Sequence, residues 1–268
     1  MAEPEGQDRV ARRGISLRAV APNAVTALAL SFGLTGIRFA ISAAGPSGET
    51  KDWALAIGAI TIAGVLDGLD GRIARALKGE SRFGAELDSL SDAIAFGVAP
   101  ALILYLWSLQ AQPKFGWICA LALAVCCALR LARFNARIDV ADQPHKSAGF
   151  LTGVPAPAGA GLALAPLYVW LETELTVFRD PFLVAPWLVF VAILMVSNLA
   201  TFSWGSIRLR REYRLMAIVG IGLFGAALIS EPWITLIGIT IAYLAVIPFS
   251  IRSYARVKRA KAAATAAE

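Results

Sequence analysis

Asp67, Asp70, Asp88 and Asp92 concentrate carboxylate chemistry in one short stretch of an otherwise apolar chain. Carboxylates without cysteine or histidine beside them form an oxygen-only ligand set, which suits a hard divalent ion, Mg²⁺ or Mn²⁺, bridging to phosphate oxygens of a substrate. Four acidic groups at close quarters repel one another, so the cation is expected to hold the site together as well as to serve its chemistry. Gly71, Ala74 and Gly84 leave room for a bulky group to approach helix backbone, with close helix packing as the competing explanation. Arg75 offers a guanidinium to a phosphate or, more simply, a salt bridge to one of the aspartates.

Spacing dictates how these residues must be presented. Asp67, Asp70, Gly71, Ala74 and Arg75 recur at three- and four-residue steps and share one helix face, as do Gly84, Asp88 and Asp92 on the next helix. Only a few residues join the two helices, which predicts antiparallel neighbours whose carboxylates converge. Both helices belong to apolar runs of the length a bilayer demands, roughly 20 residues. An intramembrane carboxylate is expensive unless paired, hydrated or metal-bound, so four of them ask for a function.

The whole chain has this character: 57% of its 268 residues are hydrophobic and 16% charged, above and below the usual soluble balance respectively. Apolar runs set against polar breaks predict eight spans, at 21–43, 53–78, 83–110, 115–137, 153–171, 181–201, 214–230 and 233–254. The expected fold is an all-α, polytopic membrane helix bundle of about eight transmembrane helices. A basic segment over 1–20 precedes a membrane domain over 21–257, and a polar, Ala-rich tail over 258–268 follows it as disordered chain or frayed helix. The seven tryptophans lie mostly near predicted span ends, as interfacial anchoring requires. With the N-terminus in the cytoplasm, 21 of the 25 Lys and Arg residues fall on that side, which predicts both termini cytoplasmic in the inner membrane. The N-terminal segment reads as a retained cytoplasmic tail rather than a signal peptide. Topology and anionic-lipid contact account for the net charge of +6 without a nucleic-acid partner. Cys119, Cys126 and Cys127 lack metal-site spacing and read as small packing residues, with no zinc site or disulfide framework expected.

The stretch from Asp67 to Asp92 carries the pattern D-x-x-D-G-x-x-A-R, eight residues, then G-x-x-x-D-x-x-x-D. At every fixed position it resembles the signature of the CDP-alcohol phosphatidyltransferases. That resemblance implies that Asp67, Asp70 and Asp88 bind metal, that Asp92 lies close to the metal and acts as general base, and that Gly71, Ala74, Arg75 and Gly84 line the pocket for the CDP group. It also implies a homodimer.

Further segments bear on which alcohol is used. Ser91-Asp92 through Phe96-Gly97-Val98-Ala99-Pro100 resembles the S-D-x-x-x-F-G-V-A-P run of the serine-using branch of the family. Pro22-Asn23 with Thr26 resembles the family's P-N-x-x-T; Asn23 and Thr26 are candidates to hydrogen-bond the diphosphate, with helix capping by Asn23 as the alternative. Arg130-Leu-Ala-Arg133-Phe-Asn135 and Phe150-Leu-Thr-Gly153-Val-Pro155-Ala-Pro157 resemble two more segments of that branch. Arg130, Arg133 and, more weakly, Lys146 are candidates for a substrate phosphate or acceptor carboxylate, against a role in positive-inside anchoring. His145 reads as a loop residue. The resemblance covers much of 22–160, while the last three spans match only in general character.

The expected reaction joins CDP-diacylglycerol, held sideways from lipid, to L-serine from the cytoplasm, giving phosphatidylserine and CMP. Within the family the alternative acceptors are glycerol 3-phosphate and inositol phosphate, which call for extra basic residues. Outside it stand a cation-coupled transporter, disfavoured because the aspartates gather at one membrane end with no inverted second copy, and a scaffold that has lost catalysis, disfavoured because every motif aspartate is present.

Overall fold

The computed structural model describes residues 17–136, 150–202 and 213–265. Lys146 and His145 lie outside the described residues, as does most of the N-terminal basic segment. The first half is four long rods. Helix α1 (Leu17–Ala44) packs along α2 (Thr50–Leu77). The third rod is α3 (Arg82–Asp92), a π-helical turn (Ala93–Val98) and α4 (Ala99–Trp107), and the fourth is α5 (Pro113–Asn135). The second half holds α6 (Ala156–Ala163) and α7 (Ala165–Thr173), α8 (Pro181–Val196), α9 (Arg214–Ser230) and α10 (Pro232–Thr265). Among the described residues five helices are long and apolar enough to cross a membrane, namely Val20–Ala44, Thr50–Leu77, Arg82–Trp107, Pro113–Asn135 and Pro232–Tyr254, while α8 and α9 are apolar but shorter.

Local chemistry explains the breaks. Glu49 and Asp52 form a reciprocal capping box at the start of α2. At its other end Lys78 takes the left-handed conformation (φ 51°), and its amide and that of Gly79 close on the carbonyls of Arg75 and Ala74. Ser81 then caps α3 by accepting a 3.0 Å hydrogen bond from the Gly84 amide. The turn between α2 and α3 is therefore very short, and both α2 and the third rod pack chiefly against α1.

The core is a continuous apolar cluster that includes Ile57, Phe96, Leu104, Leu123, Leu167, Leu188 and Met195. Trp53 and Trp107 do sit near helix ends, but they face inward at 3% and 1% exposure, so they are core residues rather than interfacial anchors. Trp117, 45% exposed, fits the anchoring role. Cys119 and Cys127 are buried packing residues. Along α9, Leu215, Met216, Ile218, Ile221 and Ile229 are all exposed, an apolar surface suited to lipid.

Two departures from an all-α expectation have clear causes. The helix predicted over 181–201 stops at Val196, because Ser197 (ψ 157°) leaves helical geometry. Ala200–Phe202 (β2) then pairs antiparallel with Phe150–Thr152 (β1). Gly153 follows β1 with φ +76°, and a Cβ there would lie 2.7 Å from the Met195 carbonyl oxygen, so the turn requires glycine. The second departure is the π turn. Pro100 has no amide hydrogen to continue an α-helical ladder, and the Ala99 amide bonds instead to the Ile94 carbonyl. The turn is squeezed from both sides: a Cβ on Gly33 of α1 would lie 2.7 Å from Ala95, and one on Gly97 would lie 2.9 Å from Cys127 of α5. At the far end of the chain, α10 keeps its helical backbone through Thr265, into the stretch expected to be a tail.

Candidate active site

The last third of α2 and the second half of α3 bring the aspartates together. Carboxylate oxygens of Asp67, Asp70 and Asp88 all lie within 4.8 Å of one another. Oxygens around one octahedral ion with bonds near 2.1 Å stand about 3.0–4.2 Å apart, so these three fit a single hard cation after small side-chain adjustment. The donor set is carboxylate oxygen only, which favours Mg²⁺ or Mn²⁺ in kind over a thiophilic metal.

Helix α1 holds this group in place from behind. Thr26, 4% exposed, donates a 2.7 Å hydrogen bond to Asp70, itself 5% exposed. Ser91 of α3 in turn donates to the Thr26 carbonyl at 3.3 Å. Thr26 thus positions a carboxylate rather than presenting a free hydroxyl. Asn23 lies inside α1, which begins at Leu17, so it does not cap the helix. Its amide oxygen lies against Gly84, where a Cβ would come within 2.8 Å.

Asp92 is not one of the three clustered carboxylates. Its side chain is in hydrogen-bonding contact with that of Asp67, so it stands beside the triad rather than within it. The Arg130 guanidinium of α5 is an electrostatic neighbour of both Asp67 and Asp92. Among the described residues its Nε has no hydrogen-bond partner although it is buried.

The two glycines of the motif differ. A Cβ on Gly71 would meet nothing within 4 Å, whereas Gly84 is a tight helix contact. Gly71 therefore faces open space at the edge of the triad, with half-buried Ala74 one turn further on. Arg75 is exposed, and its Nε donates to the Gly71 carbonyl at 3.0 Å. No salt bridge joins it to the aspartates among the described residues, where the recorded ion pair is the exposed Lys51–Glu49 contact. Arg133 is engaged elsewhere: its guanidinium holds Asn198 Oδ1 at 3.0 Å and the Ser197 carbonyl at 3.3 Å, pinning the end of α8 to α5.

Sequence reasoning did not single out three contributors. Asn135 donates to Ser89 Oγ at 2.9 Å and so ties the end of α5 to α3. Ser91 links α3 to α1. Tyr243 of α10 carries a buried hydroxyl without a partner among the described residues and is an electrostatic neighbour of Arg130. The first two fall inside motif runs whose fixed positions drew attention elsewhere, while Tyr243 is one aromatic in an apolar span with no local signal.

An apolar cavity of about 400 Å³ opens beside the site, where α2, the π turn, α6, α9 and α10 meet. Gly64, Val65, Phe96 and Tyr243 are among its lining residues, so its wall begins two residues before Asp67 on the same helix.

Comparison with known proteins extends over nearly the whole chain. The CDP-alcohol phosphatidyltransferase family model matches residues 19–201, and the CDP-alcohol phosphatidyltransferase 2 model matches residues 212–248. A CDP-diacylglycerol–serine O-phosphatidyltransferase of Mycobacterium leprae is 37% identical over 242 residues, 90% of this chain and 77% of its own length. The protein of the same name from Mycobacterium tuberculosis is 38% identical, covering 90% of this chain and 81% of its own length. One from Helicobacter pylori is 33% identical over 178 residues, 66% of this chain and 70% of its own length. With a match that runs from α1 to β2 and takes in all four aspartates, this chain belongs to the CDP-alcohol phosphatidyltransferase family.

Proposed function

We propose that the chain transfers the phosphatidyl group of CDP-diacylglycerol to the hydroxyl of L-serine, releasing CMP. The observation that carries this reading is the convergence of Asp67, Asp70 and Asp88 within 4.8 Å beside Asp92, in a chain alike over 90% of its length to serine transferases. Asp67, Asp70 and Asp88 would hold the divalent ion, Mg²⁺ or Mn²⁺, whose charge neutralises the diphosphate.

The protein's own groups supply the rest. The open face at Gly71 and Ala74 admits the CDP group, and Arg75 swings from the Gly71 carbonyl to a phosphate oxygen. Asn23 and Gly84 form the floor between α1 and α3, and Thr26 keeps Asp70 aimed at the site. Asp92 takes the serine hydroxyl proton as the oxygen attacks the β-phosphorus. The new P–O bond forms as the bond to CMP breaks, and CMP departs as an anion near Arg75. Arg130, beside Asp92, serves the acceptor; Arg133 and Lys146 remain lesser candidates for the same pocket. The apolar cavity beside Asp67 lies where the donor's acyl region must remain in lipid.

The charge pattern supports eight crossings with both termini and the active site on the cytoplasmic face of the inner membrane. α8, α9 and the kinked α6–α7 pair then supply the three crossings beyond the five long helices. A homodimer is the assembly that the family suggests.

Purified protein given CDP-diacylglycerol and a divalent ion is expected to release CMP with L-serine and not with glycerol 3-phosphate or inositol phosphate. Asp92→Asn should lose about 10²–10⁴-fold in turnover. Turnover with one of the phosphorylated acceptors instead would keep the family and overturn the choice of alcohol.

A further inference from the structure

Among the described residues three buried side-chain polar atoms lack a hydrogen-bond partner: Trp107 Nε1, Arg130 Nε and the Tyr243 hydroxyl. The last two both lie around the π turn: Arg130 sits three residues after Cys127, which packs against Gly97, and Tyr243 shares a cavity lining with Phe96. They are within electrostatic range of each other, and Arg130 is within range of Asp92 and Asp67. Leaving such a group buried and unpaired is costly, the more so for a charged one. Two of them around one turn, within electrostatic range of a reactive carboxylate, are the mark of a missing acceptor rather than of careless packing.

The chemistry of that acceptor is narrow. Arg130 Nε–H only donates, and the Tyr243 hydroxyl has a hydrogen to give. A small anion with oxygen atoms suits both. The ring of Tyr243 lines the apolar cavity together with Phe96 and Thr240, so one side of the position is dry and its polar tip is the exception. In a dry setting a charge-assisted pair is strong and directional. The diphosphate of the donor already has partners in the triad and at the open Gly71 face. The anionic group of the reactants that remains without a partner is the carboxylate of the amino-acid acceptor.

We propose that Tyr243, together with Arg130, forms the carboxylate-binding half of the acceptor pocket, so that α10 supplies a specificity residue to a site whose metal ligands lie on α2 and α3. The inference rests on the reading of the acceptor as an amino acid. The last helix thereby takes part in the chemistry, since Arg130 and Tyr243 grip the carboxylate and leave the side-chain hydroxyl turned toward Asp92. It also explains selection against alcohols of similar size that lack a carboxylate, because they would leave the guanidinium and hydroxyl unpaired in a dry pocket.

The test compares L-serine with L-serinamide, which keeps the hydroxyl and amine but replaces the carboxylate by a neutral amide, in wild type and Tyr243→Phe. Wild type is expected to prefer serine. In Tyr243→Phe the KM for serine should rise about tenfold, with kcat within about twofold and the KM for CDP-diacylglycerol unchanged, and the preference for serine over serinamide should narrow by a similar factor. Arg130→Lys, which keeps the charge but loses the fork, should narrow the same preference further. An unchanged serine KM and an unchanged preference in Tyr243→Phe would overturn the inference while leaving the function intact. A raised KM for the donor alone would also overturn it, assigning the hydroxyl to the lipid. Wild type that turns over another acceptor but not serine would remove the proposed function and this inference together.

Discussion

The two ends of the third rod treat polar groups in opposite ways. From Asp92 to Trp107 the rod runs about 22 Å. At the Trp107 end polar groups tie one another off. Arg179 donates to the Trp107 carbonyl at 2.9 Å, its own carbonyl accepts from Ser108 at 2.7 Å, and its guanidinium lies 5.6 Å from the Trp170 ring. Among the described residues there, only the Trp107 indole N–H goes without a partner. At the aspartate end, three carboxylates crowd together, a fourth leans on the first, and both Arg130 and Tyr243 hold groups unpaired. A cluster saturated but for one indole N–H closes a helix junction. An unsaturated one of concentrated charge waits for ligands, and this difference separates architecture from chemistry more sharply than residue type does, since both ends use an arginine drawn into the protein.

The sharpest way to break the comparison is to remove one member of the triad. Asp70→Asn should lower CMP release by about 10³-fold or more and weaken the metal dependence, read as a raised Mg²⁺ or Mn²⁺ concentration for half-maximal rate. Full activity in that variant would mean that the clustered oxygens do not bind the ion. A second test sets the motif glycines against each other. Gly84→Ala should destabilise by about 1 kcal/mol, seen as a lower Tm in detergent, because its Cβ would push aside the Asn23 amide oxygen and crowd the Ser81 cap hydroxyl. Gly71→Ala should leave Tm in place and raise the KM for CDP-diacylglycerol, because its Cβ enters open space that the donor is to occupy. Equal Tm losses would return Gly71 to a packing role. The smallest effect on catalysis is expected at the other end of the rod: Arg179→Ala should lower stability by about 1.5–3 kcal/mol yet keep kcat/KM of the folded protein within about twofold.

Much of the site was legible in advance because its information is local. Helical spacing alone set Asp67 and Asp70 on one face and Asp88 and Asp92 on the next, and a short turn with a Ser81 cap left them nowhere to go but together. The roles of Arg130 and Arg133 were not separable at that level. Both end the same apolar span three residues apart, yet one lies within electrostatic range of the aspartates and the other holds the end of α8. The break of α8 at Ser197 was hidden in the same way, since an extended stretch of three residues forms only when its pairing partner across the chain is present.

Composition and the periodicity of apolar residues determined a membrane-embedded helical protein whose clustered carboxylates suit a hard cation, properties that follow from rise per residue, the cost of charge in hydrocarbon and ligand chemistry within one or two helices. That it joins a nucleotide-activated lipid to an alcohol came from the resemblance of the aspartate motif to the CDP-alcohol phosphatidyltransferase signature, not from those properties. Tertiary structure alone decided that Thr26 orients Asp70, that Asp92 stands beside the triad, and that Tyr243 comes within electrostatic range of Arg130 from more than a hundred residues away. Such meetings depend on how helices rotate and pack, and a side chain's spacing along its own helix says nothing about which residue of another helix will face it.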